Sequence, residues 1–103
     1  MATYLVLMNF TEQGVQKFRD TRKRAGAFRS MAEKAGVTVR QQFWTLGPYD
    51  GALVLEADDD AAVTGVMLSL ASLGNVKTQT LRAFEEKEMD EILGRVPKAG
   101  GRK

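Results

Sequence analysis

Residues 44–56 read Trp44-Thr45-Leu46-Gly47-Pro48-Tyr49-Asp50-Gly51-Ala52-Leu53-Val54-Leu55-Glu56, a turn rich in glycine and proline between two apolar runs. Proline presets the backbone dihedral angle at the second position of a turn, and glycine tolerates dihedral angles that other residues avoid. The reversal of the chain is therefore specified locally. These residues predict a β-hairpin that presents Tyr49 and Asp50 at its tip.

The sequence on both sides of the turn predicts the two strands of this hairpin. Residues 52–57 are apolar on both faces until Glu56, as expected for a central strand that is covered on both sides. Residues 37–46 alternate with a period of two, and one face is markedly more polar than the other. The alternation places Val37, Val39, Gln41 and Phe43 on one face and Thr38, Arg40, Gln42 and Trp44 on the other.

The first predicted helix covers residues 12–35 and follows a first strand at residues 3–10, with the hydroxyl of Thr11 as its cap. Gly14 and Gly26 each lower its helix propensity by roughly 1 kcal/mol relative to alanine, so a kink or a broken first turn is compatible with the pattern. Its apolar stripe consists of Val15, Phe18, Ala25, Phe28, Ala32 and Ala35.

The remaining elements are a second helix at residues 61–73, a fourth strand at residues 76–84 and a short helix at residues 85–93. The three carboxylates of residues 58–60 predict an N-terminal cap for the second helix, in preference to a metal site. This helix is apolar nearly all round, which suggests that part of it faces another subunit.

This order of elements predicts an α+β, ferredoxin-like βαββαβ domain at residues 1–94, with a flexible tail at residues 95–103. Two helices would cover one face of a four-stranded antiparallel sheet, and the short C-terminal helix would follow. Because the central strands are apolar on both faces, a partner or a ligand-filled cavity must bury the other face. We expect a homodimer or a higher homo-oligomer that forms through this open face.

The composition excludes several classes of chemistry, since the 103 residues include no cysteine and no histidine. A thiol nucleophile, a disulfide framework, a zinc site of cysteine or histidine ligands and a Ser-His-Asp triad are therefore absent. We predict no metal and no cofactor. No apolar run approaches the ~20 residues that span a bilayer, and the N-terminus does not resemble a signal peptide, so a cytoplasmic location is the default expectation.

The charges are nearly balanced overall, with a net charge of +2, but they are unevenly distributed along the chain. Basic residues cluster between Lys17 and Arg29, and acidic residues cluster between Asp58 and Asp60 and between Glu85 and Glu91. The basic stretch lacks interleaved exposed aromatic residues and any motif of a nucleic-acid reader, so a solvated helix face is the stronger interpretation. Complementary charge between subunits explains the distribution as well as nucleic-acid binding does.

Two polar groups are candidates for a site. Tyr49 and Asp50 form a potential proton-transfer pair, although an aspartate that binds the turn backbone beside a packed tyrosine is the simpler interpretation. Arg40, Gln42 and Trp44 share one predicted face of their strand. If that face is the open one, they would line an intersubunit cavity together with Glu56 and Asn9. Such a cavity suits a small planar acid or a quinone-like ligand, and dimer contacts are the alternative.

Several segments resemble a known family, the GYD domain. They are Trp44-Thr45-Leu46-Gly47-x-Tyr49-Asp50, Val54-Leu55-Glu56-Ala57-x-Asp59-Asp60, Leu73-Gly74-Asn75-Val76 and Thr80-Leu81-Arg82-Ala83-Phe84. Pro48 separates the glycine from the tyrosine of the tripeptide that names the family. The resemblance implies a small bacterial protein of the dimeric α/β barrel superfamily, in which two ferredoxin-like units pack sheet to sheet. It implies no particular reaction, because relatives by fold differ in chemistry.

Three functions are compatible with these observations. The first is a homo-oligomer that binds a small organic ligand between its sheets. The second is a cofactor-independent monooxygenase or isomerase acting on a small aromatic or lactone-like substrate. Asp50 or Glu56 would be its base, Tyr49 its proton donor, and Arg40 would hold an anion. The third is a protein that associates weakly with nucleic acid through its basic helix.

Overall fold

In a computed structural model, residues 1–99 are described, and residues 100–103 of the predicted tail lie outside this range. A single 3-10 turn at Phe18–Asp20 separates the first two helices. The elements of the described chain are β1 (Ala2–Phe10), α1 (Glu12–Gln16), α2 (Thr21–Lys34), β2 (Thr38–Trp44), β3 (Gly51–Ala57), α3 (Asp60–Ser72), β4 (Val76–Ala83) and α4 (Glu86–Gly94).

The four strands form one antiparallel sheet in the order β2-β3-β1-β4. The two central strands pair in a register that places Leu55 opposite Tyr4 and Leu53 opposite Val6. β2 and β4, which each follow a helix, are the two edge strands of the sheet. This is the ferredoxin-like arrangement. The predicted α+β fold class is therefore confirmed.

The core lies between the sheet and the helices α2 and α3. On β1 and β3 every second side chain enters it, in keeping with the period of a strand. Leu53 and Leu55 are almost completely buried, as are Val6 and Val37. The other core residues are Tyr4, Phe28, Ala32, Val39, Ala57, Val63, Val66 and Met67.

Among residues 1–99, the opposite face of the sheet contributes no side chain to the buried core, and we call it the open face. Its central side chains are apolar and come from β1, β2 and β4, where Leu5 is 42% exposed, Phe43 49% and Leu81 47%. On β3, Val54 and Glu56 lie on the same face and are half-buried. A sheet face with this composition is typical of one that packs on another surface.

The predicted helix at residues 12–35 is wrong as one continuous element. Lys17 leaves the helical conformation, with φ of −110° and ψ of 31°, so α1 ends before it. Thr11 caps α1 as predicted, because its Oγ1 accepts a hydrogen bond from the Gly14 amide at 3.0 Å. Val15 and Phe18, expected in the core, are about half exposed, since the break turns them away from the sheet.

The cause of the break is a close contact between α1 and the chain before β4. The Thr11 amide donates to the Asn75 carbonyl oxygen at 3.0 Å, and the Thr11 hydroxyl donates to the Gly74 carbonyl oxygen at 2.6 Å. Gln13 Nε2 donates to the Leu73 carbonyl oxygen and to Asn75 Oδ1. These bonds fix the direction of α1 independently of α2.

The predicted alternation of β2 is wrong beyond Val39, because the strand contains a bulge at Arg40. Val39 pairs with Leu55 and Gln41 pairs with Val54, so Arg40 has no partner of its own on β3. An extra residue in one strand exchanges the two faces for all residues that follow. Gln42 and Trp44 consequently lie on the helix side of the sheet.

α3 begins and ends as the sequence predicts. Asp59 Oδ1 accepts a hydrogen bond from the Ala62 amide at 2.8 Å, so one of the three carboxylates is the cap. Gly74, with φ of 79°, follows the helix in the left-handed conformation that favours glycine. Leu68 on the outer side of α3 is 66% exposed, as expected for a helix that is apolar nearly all round.

The last helix, α4, has no buried residue. Glu85 and Glu88 form a capping box at its start, and Arg82 pairs with Glu88 at 2.8 Å. Met89 and Leu93 remain exposed on its apolar side. Within the described range, no helix combines the length and the apolar character needed to cross a membrane.

Tyr4 connects the core to a polar cluster at the start of α3. Its hydroxyl donates to Asp60 Oδ1 at 2.5 Å, and the guanidinium of Arg82 lies 5.7 Å from the centre of its ring. The hydrogen bond to the Asp60 carboxylate, together with burial, raises the pKa of Tyr4 from 10.0 to about 12. The hydrogen bond from Arg82 holds the pKa of Glu88 below its usual value.

The pKa of Tyr4 predicts how the stability of the protein depends on alkaline pH. A raised pKa means that the neutral phenol stabilises the fold fully below pH 10, and that this contribution is lost as the pH rises from 10 to about 12. In a Tyr49→Phe variant, Tyr4 is the remaining tyrosine. We expect its phenolate absorbance to titrate with a midpoint near pH 12 in the folded protein. A midpoint near pH 10, with circular dichroism still native, would contradict the assigned hydrogen bond.

Candidate functional site

The tip of the β2–β3 hairpin is tied to the end of β1. The Asp50 amide donates to the Met8 carbonyl oxygen at 2.8 Å, and Asn9 Nδ2 donates to the Pro48 carbonyl oxygen at 2.8 Å. The Phe10 amide donates to Asp50 Oδ2, also at 2.8 Å. Gly47 adopts a φ of 127°, which the local sequence allows. Pro48 and Asp50 therefore tie the turn to β1 through three hydrogen bonds.

Tyr49 and Asp50 point to different sides of the sheet. The Tyr49 hydroxyl donates to Gln79 Oε1 at 3.3 Å, and Gln79 lies on the open face because it is two residues from Leu81 on β4. The Asp50 carboxylate binds the backbone of Phe10 and faces the helix side. The two side chains therefore have different hydrogen-bond partners, and their action as a proton-transfer pair stays a prediction. Their individual catalytic roles stay predictions.

The bulge at Arg40 divides the side chains that the sequence groups into one ligand site. Arg40 Nε lies 3.7 Å from Glu56 Oε1, so these two residues meet as predicted. Gln42 and Trp44 instead face the helices: Gln42 Oε1 accepts from Arg29 at 3.1 Å, and Trp44 Nε1 donates to Thr21 Oγ1 at 2.9 Å. Asn9 binds the turn instead of approaching Arg40. The predicted grouping is wrong, and ligand binding by each residue stays a prediction.

The Arg40–Glu56 pair borders an open depression of about 410 Å³ at one end of the open face. Thr3, Thr38 and Glu85 also line it. Two carboxylates and one guanidinium give this depression a mixed polar character.

A larger cavity of about 490 Å³ lies on the opposite side of the sheet, between α2, α3 and the end of the sheet where the hairpin turn is tied down. We call it the helix-side cavity. Its walls include the apolar side chains of Met8, Phe28, Leu53 and Leu70. Its polar lining residues include Thr21, Arg24, Gln42, Asp50 and Asn75.

Sequence reasoning missed Arg24 and Asn75 as cavity residues. Arg24 belongs to a basic run that reads as a solvated helix face, yet the structure leaves it half-buried beside the cavity. Asn75 follows the second predicted helix and directly precedes the fourth predicted strand, a position that in the sequence indicates only a connection between the two. Whether these two residues border a cavity depends on the distance between α2 and α3. No local pattern in the sequence gives that distance.

The model of the GYD domain family matches residues 4–93, nearly the whole of the described chain. The chain belongs to the GYD domain family. The resemblance inferred from the hairpin turn, from the strand that follows it and from β4 is thereby confirmed.

Proteins similar to this GYD domain are known from Thermus thermophilus. One relative from this organism is 42% identical over 85 residues, which cover 82% of this chain and 90% of the relative. That protein is named glutamine synthetase and cystathionine beta-lyase binding protein.

Two solved structures have the same fold. The crystal structure of TTHA0845 from Thermus thermophilus matches with a TM-score of 0.56 and 25% identity, over 82% of this chain and 95% of that one. The crystal structure of FFRP-DM1 matches with a TM-score of 0.59 and 19% identity, over 82% of this chain and the whole of the other, and it shows the fold alone.

Proposed function

We propose that this GYD domain is a cytoplasmic homo-oligomer that functions by binding other proteins. The relative from Thermus thermophilus carries the proposal, because it is 42% identical over most of both chains and is named for two enzymes that it binds. Glutamine synthetase and cystathionine beta-lyase are accordingly the first partners to test. Protein binding needs exposed surface and no catalytic constellation, which agrees with the separation of Tyr49 from Asp50.

The open face supports the homo-oligomeric part of the proposal. Leu5, Phe43 and Leu81 together form an apolar centre on a sheet face that adds no side chain to the buried core of the described residues. Two such faces can pack on each other at about 10 Å, as stacked sheets do. We propose that a second copy of the chain covers the open face. In a two-fold dimer the same patch of each subunit forms the interface, so one apolar face is sufficient for both partners.

Size-exclusion chromatography with light scattering tests both parts of this proposal in one measurement. Wild-type protein is expected to have at least the mass of a dimer and to elute with either enzyme as a larger complex. Leu5→Glu is expected to be monomeric, because it places a charge at the centre of the apolar patch. Leu46→Glu is the matched control, since Leu46 is fully exposed in the turn and lies outside the sheet.

Different outcomes test the homo-oligomer and the binding of the two enzymes separately. A monomeric wild-type protein at micromolar concentration contradicts the homo-oligomer, and so does a Leu5→Glu variant with the mass of the wild type. Elution of both enzymes at their own mass, with the GYD domain separate, contradicts the transfer of the relative's partners to this chain. Circular dichroism confirms that both variants are folded.

A second candidate function is the binding of a small organic ligand between the two sheets. The observation that favours it is the open depression of about 410 Å³ with Arg40 and Glu56 at its border, which a second copy would enclose. Co-purified molecules released from the oligomer and identified by mass spectrometry test this candidate. Recovery of the same molecule from the monomeric Leu5→Glu variant would contradict a site between the sheets.

A further inference from the structure

We propose that the helix-side cavity binds an apolar small molecule with one anionic group, and that Arg24 holds that anion. The cavity's volume of about 490 Å³ falls in the range of small-molecule sites, roughly 300–1,000 Å³. The site lies on the opposite side of the sheet from the open face. It therefore goes beyond the proposed binding of proteins and does not depend on it.

Small residues keep the cavity open. Ala25 and Ala27 of α2 line it without long side chains, and Gly51 lines it from β3. A Cβ atom at Gly51 would lie 3.0 Å from the Phe43 carbonyl oxygen and 3.2 Å from Cγ of Met8. The apolar side chains of Met8 and Phe28 can then contact the body of a ligand directly.

Most polar groups around the cavity already have partners within the protein. Trp44 Nε1 donates to Thr21 Oγ1, Asn75 Oδ1 accepts from Gln13 Nε2, and Asp50 Oδ2 accepts from the Phe10 amide. These groups define the shape of the rim. Because they are already paired, they offer few hydrogen bonds to a ligand with many polar atoms.

Arg24 differs from these groups. Both ion pairs among the described residues use other arginines, Arg40 and Arg82, so the Arg24 guanidinium has no carboxylate within 4 Å in this part of the chain. A guanidinium presents a planar fork of donors that fits a carboxylate or a sulfonate. Apolar walls beside it strengthen the attraction, since they lower the local dielectric constant. A ligand with an apolar body and one acidic end would contact both the apolar walls and the Arg24 guanidinium.

Two fluorescent probes with the same aromatic skeleton test this assignment. Anilinonaphthalenesulfonate carries one anionic group, whereas N-phenylnaphthylamine carries none. Trp44, the single tryptophan of the chain, lies at the cavity and reports binding by energy transfer to either probe. Arg24→Gln is expected to weaken binding of the sulfonate about tenfold, the effect of one charge-assisted hydrogen bond, and to leave the uncharged probe unchanged. Arg22→Gln, an exposed neighbour on α2, is expected to change neither.

A variant with a larger side chain in the cavity tests whether the probes bind there. Ala25→Leu places a larger side chain in the cavity and is expected to abolish energy transfer from Trp44 to both probes. Equal weakening of the sulfonate by Arg24→Gln and Arg22→Gln would overturn the role of Arg24, because it would indicate a general effect of net charge. Sulfonate binding that is unchanged by Arg24→Gln would overturn it as well. These comparisons hold even if Ala25→Leu does not fold, since they use only the two arginine variants.

Discussion

Replacing Gly14 with alanine is expected to lower the free energy of unfolding by about 3 kcal/mol, the upper range for overpacking of a close contact. Gly14 is buried where α1 meets the chain before β4. A Cβ atom there would lie 1.9 Å from the Asn75 carbonyl oxygen and 2.8 Å from its carbon. These are backbone atoms, so no side-chain rotation can relieve the clash. Urea unfolding followed by circular dichroism measures the change.

Gly26→Ala is the matched control, because it makes the same chemical change in the neighbouring helix. A Cβ atom at Gly26 would have no neighbour within 4 Å. This glycine lies in the interior of α2, where alanine is expected to stabilise the helix by about 1 kcal/mol. The two substitutions should therefore have opposite signs. A Gly14→Ala variant as stable as the wild type would contradict the close packing of α1 on Asn75.

The sequence predicted the strands and the fold class because their signals are local. The turn at residues 47–51 has the residues that a reversal requires, and its flanking runs have the composition of strands. The capping of α3 by Asp59 was predictable for the same reason, since a side chain binds an amide three residues away. Once four strands and two helices are ordered along the chain, few topologies remain.

The two corrections to the predicted elements have non-local causes. Gly14 reads only as a residue of low helix propensity, whereas its contact with Asn75 joins residues 61 positions apart in the chain. The bulge at Arg40 gives no signal in the alternation, because polar residues continue on both sides of it. One extra residue was enough to move Gln42 and Trp44 from the expected open face to the helix side.

The helix-side cavity was outside the reach of sequence reasoning for a related reason. A cavity is a gap between elements, and periodicity describes only which side of an element is apolar. Arg24 therefore read as a solvated cation. Only the assembled structure places it beside Trp44 and the apolar floor of the cavity.

Leu55→Ala is expected to lower the free energy of unfolding by about 3 kcal/mol, within the range measured for buried leucines. Leu55 is completely buried at the centre of the sheet, where it pairs with Tyr4 on β1 and with Val39 on β2. The substitution removes apolar contacts and leaves a cavity that the strands on both sides cannot close. Denaturant unfolding of the two proteins measures the difference.

Leu46→Ala removes the same atoms from a position where Leu46 is 103% exposed. It is expected to change the stability by less than about 0.5 kcal/mol, as surface substitutions usually do. The contrast between the two leucines separates burial from the intrinsic effect of replacing leucine with alanine. Equal effects of the two substitutions would contradict the position of β3 between β1 and β2. That position is what separates the open face from the helix-side cavity, so the test also bears on both proposed binding surfaces.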